Sequence, residues 1–162
     1  MIEPKAPLPV KLIAAVLTSK TFETATIRRL LEERWGTIDF EGSAHPFDCT
    51  DYYAQEMGAE LVRTFFSFAP LISPEEIVDA KHAAWMLERQ FAVNGKRRVN
   101  IDPGYLDANK LVLVSFKYVA QKIYLERGVW ADPVCFYRKG SFHAYEWTFE
   151  DFKQKRYEKD LL

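Results

Sequence analysis

Between Asp48 and Glu56 the chain places three carboxylates, Asp48, Asp51 and Glu56, and two tyrosines, Tyr52 and Tyr53, within nine residues. Carboxylates this close can share a Mg²⁺ ion or divide the roles of acid and base. They can equally cap turns in a solvated loop while the tyrosine rings pack. Asp51 and Glu56 are the members to test. A second string is Asn100-Ile101-Asp102-Pro103-Gly104-Tyr105. If a strand persists through it, residues 100 and 102 share a face and present an amide beside a carboxylate. Pro103-Gly104 would then turn the chain and Tyr105 would roof the spot. The competing reading is a structural turn, in which Asp102 accepts backbone N–H bonds, Pro103 fixes φ and Gly104 permits φ above zero.

Five cations accompany these strings: Arg63, Lys81, Arg98, Lys117 and Lys122. Arg63 lies inside an apolar strand pattern, where an unpaired charge facing the core would be costly. These cations therefore face solvent or pair with the acidic strings, and together they could hold a phosphate or carboxylate. The histidines, His45, His82 and His143, are mutually distant. Cys49 follows His45 by four residues, but nothing else supports a His/Cys pair. Cys49 and Cys135 form no CxxC pair and sit near no His cluster, so no zinc site is expected. Two free thiols in a reducing compartment are expected instead. No nucleophile-elbow motif marks a Ser hydrolase.

The elements that must position these residues read as α+β. Residues 1–10, with three prolines, form an extended lead-in. Lys11–Ser19 reads as a buried central strand. Phe22–Trp35 carries Ile27, Leu30, Leu31 and Trp35 at helical spacing, with Ser19 or Thr21 as cap and Gly36 as stop. Thr37–Phe47 and Glu60–Phe68 read as strands. Ser73, Pro74, Glu75 and Glu76 start a second helix reaching Phe91. Beyond it come a short strand at Arg98–Asp102, a turn at 102–104, and strands at Lys110–Tyr118 and Gln121–Leu125. A hairpin follows around Arg138–Ser141, and Thr148 caps a terminal helix reaching about Lys159. The expected fold is a ferredoxin-like antiparallel sheet with two main helices on one face and a β-rich C-terminal extension. A parallel sheet would need crossover helices between 98 and 147, and none is apparent.

At 162 residues a single domain is expected, needing no disulfide or metal staple. Lys plus Arg number 22 and Asp plus Glu 23, which argues against a dedicated DNA binder. No signal peptide or membrane-length apolar run is evident, so a cytoplasmic protein is expected. Aromatics reach 15%, enough for an aromatic-rich core or for a cleft that stacks on rings.

Three separated segments, Asp51–Gly58, Arg98–Tyr105 and Glu146–Phe152, resemble a prokaryotic domain family of unknown function, DUF4416. Leu111-Val112-Leu113 and Lys122–Leu125 between them strengthen the likeness, which covers nearly the whole chain. The resemblance implies a bacterial or archaeal origin and a stand-alone domain, and no mechanism. Relatives often carry His then Arg where this chain has Gln121 and Lys122, so imidazole chemistry is absent at that position. Relatives also tend toward Tyr-Pro-Asp-Tyr where this chain has Phe149-Glu150-Asp151-Phe152. The phosphate loop that GTP binding would require is missing: Asn94-Gly95-Lys96-Arg97 lacks its spacing and follows a helix.

Three functions stay open. One is a domain binding a small anionic ligand, a nucleotide or phosphorylated metabolite. It would use Tyr52, Tyr53 and Tyr105 for stacking, and Arg63, Lys117 and Lys122 for the anion. Another is a metal-assisted enzyme on a phosphorylated substrate, with Asp51, Glu56 and Asp102 as ligands or base. A third is an interaction module docking through exposed aromatics. RNA is a further conceivable partner, since a ferredoxin-like sheet can offer aromatics to bases. No cofactor is indicated. Convergence of the three segments on one concave pocket would favour the first two functions.

Overall fold

Every residue from Leu12 to Thr18 is buried, so β1 (Val10–Ser19) must lie mid-sheet with cover on both faces. The computed structural model, which describes residues 1–162, places it there. After β1 come α1 (Ala25–Trp35), β2 (Ile38–Glu41), β3 (His45–Pro46), α2 (Ala54–Met57) and β4 (Leu61–Ile72). A short 3₁₀ turn (Pro74–Glu76) leads into α3 (Ile77–Phe91). Then follow β5 (Val99–Leu106), β6 (Lys110–Ser115), β7 (Ile123–Tyr124), β8 (Trp130–Arg138), β9 (Ser141–Ala144), α4 (Glu150–Lys153) and α5 (Glu158–Leu161). All strand pairings are antiparallel, in the order β2-β4-β1-β5-β6-β8-β7, with β3 also on β4 and β9 on β8.

Strand alternation splits the core in two. Leu12, Ala14 and Val16 pack with Ile27 and Leu31 of α1 and with Ile77, Ala80, Ala84 and Leu87 of α3. Ile13 and Ala15 turn the other way and pack with Phe65, Leu111, Phe152, Tyr157 and Leu161. The C-terminal segment thus covers the face that α1 and α3 leave open. His45 ties it down, its Nε2 lying 2.7 Å from Asp160 Oδ2.

The outer edge of β5 positions the site. β6 pairs with β5 only from Gly104 to Leu106, so Val99–Pro103 has no strand on that side. A buried edge of this kind must find other partners. Two side chains of α3 supply them at Ile101: Glu88 Oε1 accepts its N–H at 2.6 Å, and Lys81 Nζ donates to its carbonyl at 3.0 Å. Pro103 has the same parity as Ile101, so its missing N–H falls on this open edge, where no ladder bond is lost. At Gly104 the strands close up. A Cβ there would lie 2.3 Å from the Val112 carbonyl oxygen, so only glycine fits.

This overturns the turn expected at 102–104, because Pro103 and Gly104 serve a strand interior. Other boundaries move for local reasons. Glu23, rather than Ser19 or Thr21, takes the Ala25 N–H at 3.1 Å, so α1 starts three residues late. The strand expected over 37–47 breaks at Gly42, where Asp160 approaches too closely for a Cβ. The expected terminal helix is split, with Lys155 between its halves in the left-handed region at φ 56°. The hairpin at 138–141 forms as expected, with positive φ at Lys139 and Gly140. No helix is long and apolar enough to cross a membrane.

Candidate functional site

A cleft of about 640 Å³ opens where β5 and β6 diverge, a size typical of small-molecule sites, roughly 300–1,000 Å³. Its walls come from the loop before α2, from α3, from β5, β6 and β8, from the loop after β6, and from Trp147–Phe152. The three segments singled out in the sequence therefore meet in one place. Five basic side chains and three carboxylates line it.

The β5 wall is a closed network. Arg97 grips Glu56 through Nε at 2.9 Å and Nη2 at 2.7 Å. Its Nη1 donates to Asn100 Oδ1 at 2.7 Å, and Asn100 Nδ2 donates to Asp102 Oδ2 at 2.8 Å. Lys81 Nζ completes the chain at Asp102 Oδ1, 3.2 Å away. Burial alone would raise the Asp102 carboxyl, but the charges of Lys81 and Arg63 outweigh it and hold it below the ordinary carboxylate value. Glu56 is lowered mainly by its hydrogen bond from Arg97. Glu88, with one N–H bond from Ile101, is raised by burial despite the nearby Lys81.

Deeper in, Arg63 is only 4% exposed. Its Nη1 donates to Asp151 Oδ2 at 2.6 Å, and the Tyr157 hydroxyl donates to the same oxygen at 2.5 Å. The Phe47 ring lies 4.4 Å under the guanidinium. Nε and Nη2 of Arg63 have no hydrogen-bond acceptor in the protein, neither is fully buried, and Arg63 lines the cleft.

The rim differs. Lys117 Nζ sits 4.3 Å over the Tyr52 ring and has no carboxylate within 4.0 Å. Gln121 and the Tyr53 hydroxyl line the cleft without a side-chain partner. Burial, then the charge of Asp102, raises the Tyr53 phenol, so it stays protonated and can donate. Lys122 is partly engaged, with Ser115 Oγ at 2.8 Å and Asp132 Oδ2 at 3.6 Å. Trp85 meets Phe116 edge-on at 6.4 Å, and Trp147 stacks on Tyr145 at 4.8 Å.

Of the candidates read from the sequence, Tyr52, Tyr53, Arg63, Asn100, Asp102, Lys117 and Lys122 line the cleft, as does Lys81. Three do not. Asp51 is exposed outside it. Glu56 stands behind Arg97 and reaches the cleft only through that residue. Tyr105 is odd-numbered on β5, so it points to the α1/α3 side and packs against that core instead of roofing Asp102. Asp48 pairs with Arg156 at 2.7 Å, away from the cleft. Arg98 is exposed, and no histidine lines the cleft. Both thiols are raised by burial, Cys135 to about 12, which makes them poor nucleophiles. No three side chains among His, Cys, Asp and Glu gather as a metal site, so Asp51, Glu56 and Asp102 do not form the ligand set considered above.

Sequence reasoning missed Trp85, Glu88, Arg97, Gln121 and Asp132. Glu88 has a signal: Lys81 and Glu88 share one line of α3 with Ala84 of the buried stripe, which sets both charges against the interior. Asp151 lies in the Glu146–Phe152 segment, where the sequence alone assigns it no role.

Fold and site together define an α+β protein with a large antiparallel sheet and an aromatic, cation-rich cleft. The model of the domain of unknown function DUF4416 matches residues 8–162, and the chain belongs to that family. No curated protein and no solved structure is significantly similar to it.

Proposed function

We propose that this chain is a binding domain for a small anionic ligand, a nucleotide or a phosphorylated metabolite, taken into the cleft between β5 and β6. One observation carries the reading: several donors there lack an acceptor in the protein. They are the free Arg63 N–H groups, the Tyr53 hydroxyl, the Lys117 ammonium and the Gln121 amide. Each carboxylate lining the cleft has a hydrogen-bond donor or cation beside it. Convergent donors in an apolar setting suit an acceptor-rich anion. The order β2-β4-β1-β5, with α1 and α3 sharing one core, supports a ferredoxin-like unit to which β6–β9 add the far wall. Two free thiols support a reducing, cytoplasmic setting, and the family supports a prokaryotic one.

A thermal-shift screen against nucleotides, sugar phosphates and divalent ions tests this reading, since a ligand of the native state raises the melting point by mass action. Stabilisation by phosphorylated compounds is the expected result. A shift with divalent ions alone, or none at all, contradicts it. The exposed Tyr118, Ile123 and Tyr124 around β7 favour a second reading, docking of a protein partner, which gains weight if no small molecule shifts the melting point.

A further inference from the structure

We propose that the ligand carries a flat aromatic group beside its anion, as a nucleoside monophosphate does, with the Tyr52–Lys117 pair as its seat. This rests on the anion-binding reading above and names the class of ligand. Tyr52 belongs to the loop before α2, and Lys117 to the loop after β6, so their contact bridges two walls of the cleft. Of the cleft's five cations, Lys117 alone has no carboxylate beside it. Its charge rests on a ring face, an interaction weaker than a charge-assisted hydrogen bond to a phosphate oxygen. An arriving anion can therefore draw Lys117 away without breaking any ion pair.

That movement vacates the face of Tyr52. Tyr52 is already 60% exposed, and the edge-on contact of its ring with Tyr53, at 4.9 Å between centroids, holds its orientation. A bare aromatic face then stands next to the bound anion. A sugar phosphate would leave it wet, whereas a base would stack on it. Arg63 makes the anion seat a built one. It is almost wholly buried, clamped by Asp151 and Phe47, lines the cleft, and keeps N–H groups without an acceptor in the protein. A phosphate between Arg63 and Lys117 would meet one fixed donor group and one mobile one.

Isothermal titration with the four common ribonucleoside 5′-monophosphates, the parent nucleosides and ribose 5-phosphate tests the proposal. At least one monophosphate should bind about tenfold or more tighter than ribose 5-phosphate, the contribution of one stacked base. Tyr52→Ala should abolish that preference and leave ribose 5-phosphate binding unchanged, while Tyr52→Trp retains it. Lys117→Ala should weaken every phosphorylated compound about tenfold, as loss of one charge-assisted contact does, and Lys117→Arg should restore binding. Both side chains are exposed, so circular dichroism should show these variants folded as the parent. Equal binding of ribose 5-phosphate and all monophosphates, unaltered by Tyr52→Ala, overturns the aromatic seat and leaves the anion site standing. Binding of no phosphorylated compound overturns both.

Discussion

On the β5 wall of the cleft, Arg97, Asn100 and Lys81 give their donors to Glu56, Asp102 and the Ile101 carbonyl. On the loop after β6, Lys117 has only the face of Tyr52, and Gln121 has no partner. Similar residue types thus stand in opposite states within one cleft. The difference follows from what each must do without a ligand. β5 lacks a strand neighbour over Val99–Pro103, and side chains must saturate that gap or leave polar groups stranded in the interior. The rim is open to water, which can satisfy Lys117 and Gln121 without a protein partner. Charged residues in a cleft are therefore not all candidates for binding. Those already saturated hold the wall up, and those left open are the candidates for the proposed ligand.

Several substitutions can break or sharpen this contrast. The largest effect should come from Asp151→Ala, which strands the buried Arg63 guanidinium and should cost roughly 3–5 kcal/mol in urea unfolding. A loss below about 1 kcal/mol would mean that Asp151 does not hold the Arg63 guanidinium in place. Gly104→Ala forces a Cβ onto the Val112 carbonyl and should cost about 1–3 kcal/mol by pushing β5 and β6 apart. Arg97→Ala removes a bidentate pair that is about one-third exposed on each side, 31% and 32%, so solvent screening limits its direct loss. About 1–2 kcal/mol is expected, mostly from leaving Asn100 under-bonded.

Glu88 gives a pH signature. Burial raises its carboxyl in the folded protein, so between the unfolded value and the raised one the native state binds more protons than the unfolded state. Its contribution to stability is thus favourable at low pH and declines as pH rises through that window. Glu88→Gln keeps an acceptor for the Ile101 N–H and should flatten this decline in denaturation midpoints measured from pH 4 to pH 8. An unchanged slope would mean that Lys81 neutralises the carboxylate fully. Asp102, held low, has the opposite sign, and its contribution is lost as pH falls through its folded value.

Much of the frame was legible because local pattern and tertiary role coincide. β1 reads as a central strand from its unbroken apolar run. In α3 the spacing of Ile77, Ala80, Ala84 and Leu87 marks the face that is buried. Ser73-Pro74-Glu75-Glu76 marks its start, and the Ser73 N–H does donate to Glu76 at 2.7 Å. The Asp102-Pro103-Gly104 string shows where such reading stops. Pro and Gly signal a turn by local propensity, but here each answers a neighbour distant in sequence: an empty edge at Pro103 and the Val112 carbonyl at Gly104. The site was half legible for the same reason. Asn100 and Asp102 show their shared face through strand alternation, and that same alternation excludes Tyr105. Arg97 carries no local mark, since its role depends on Glu56, forty-one positions away.

The most direct test compares Lys117→Ala with the parent protein in one thermal-shift experiment, with and without the four monophosphates. Lys117 belongs to the open set, so its removal should leave the unliganded melting point unchanged, with a stability difference within about 0.5 kcal/mol. The shift produced by the ligand should fall sharply. A lowered unliganded melting point with an undiminished ligand shift would make Lys117 a structural residue and contradict the division of the cleft into locked and open groups.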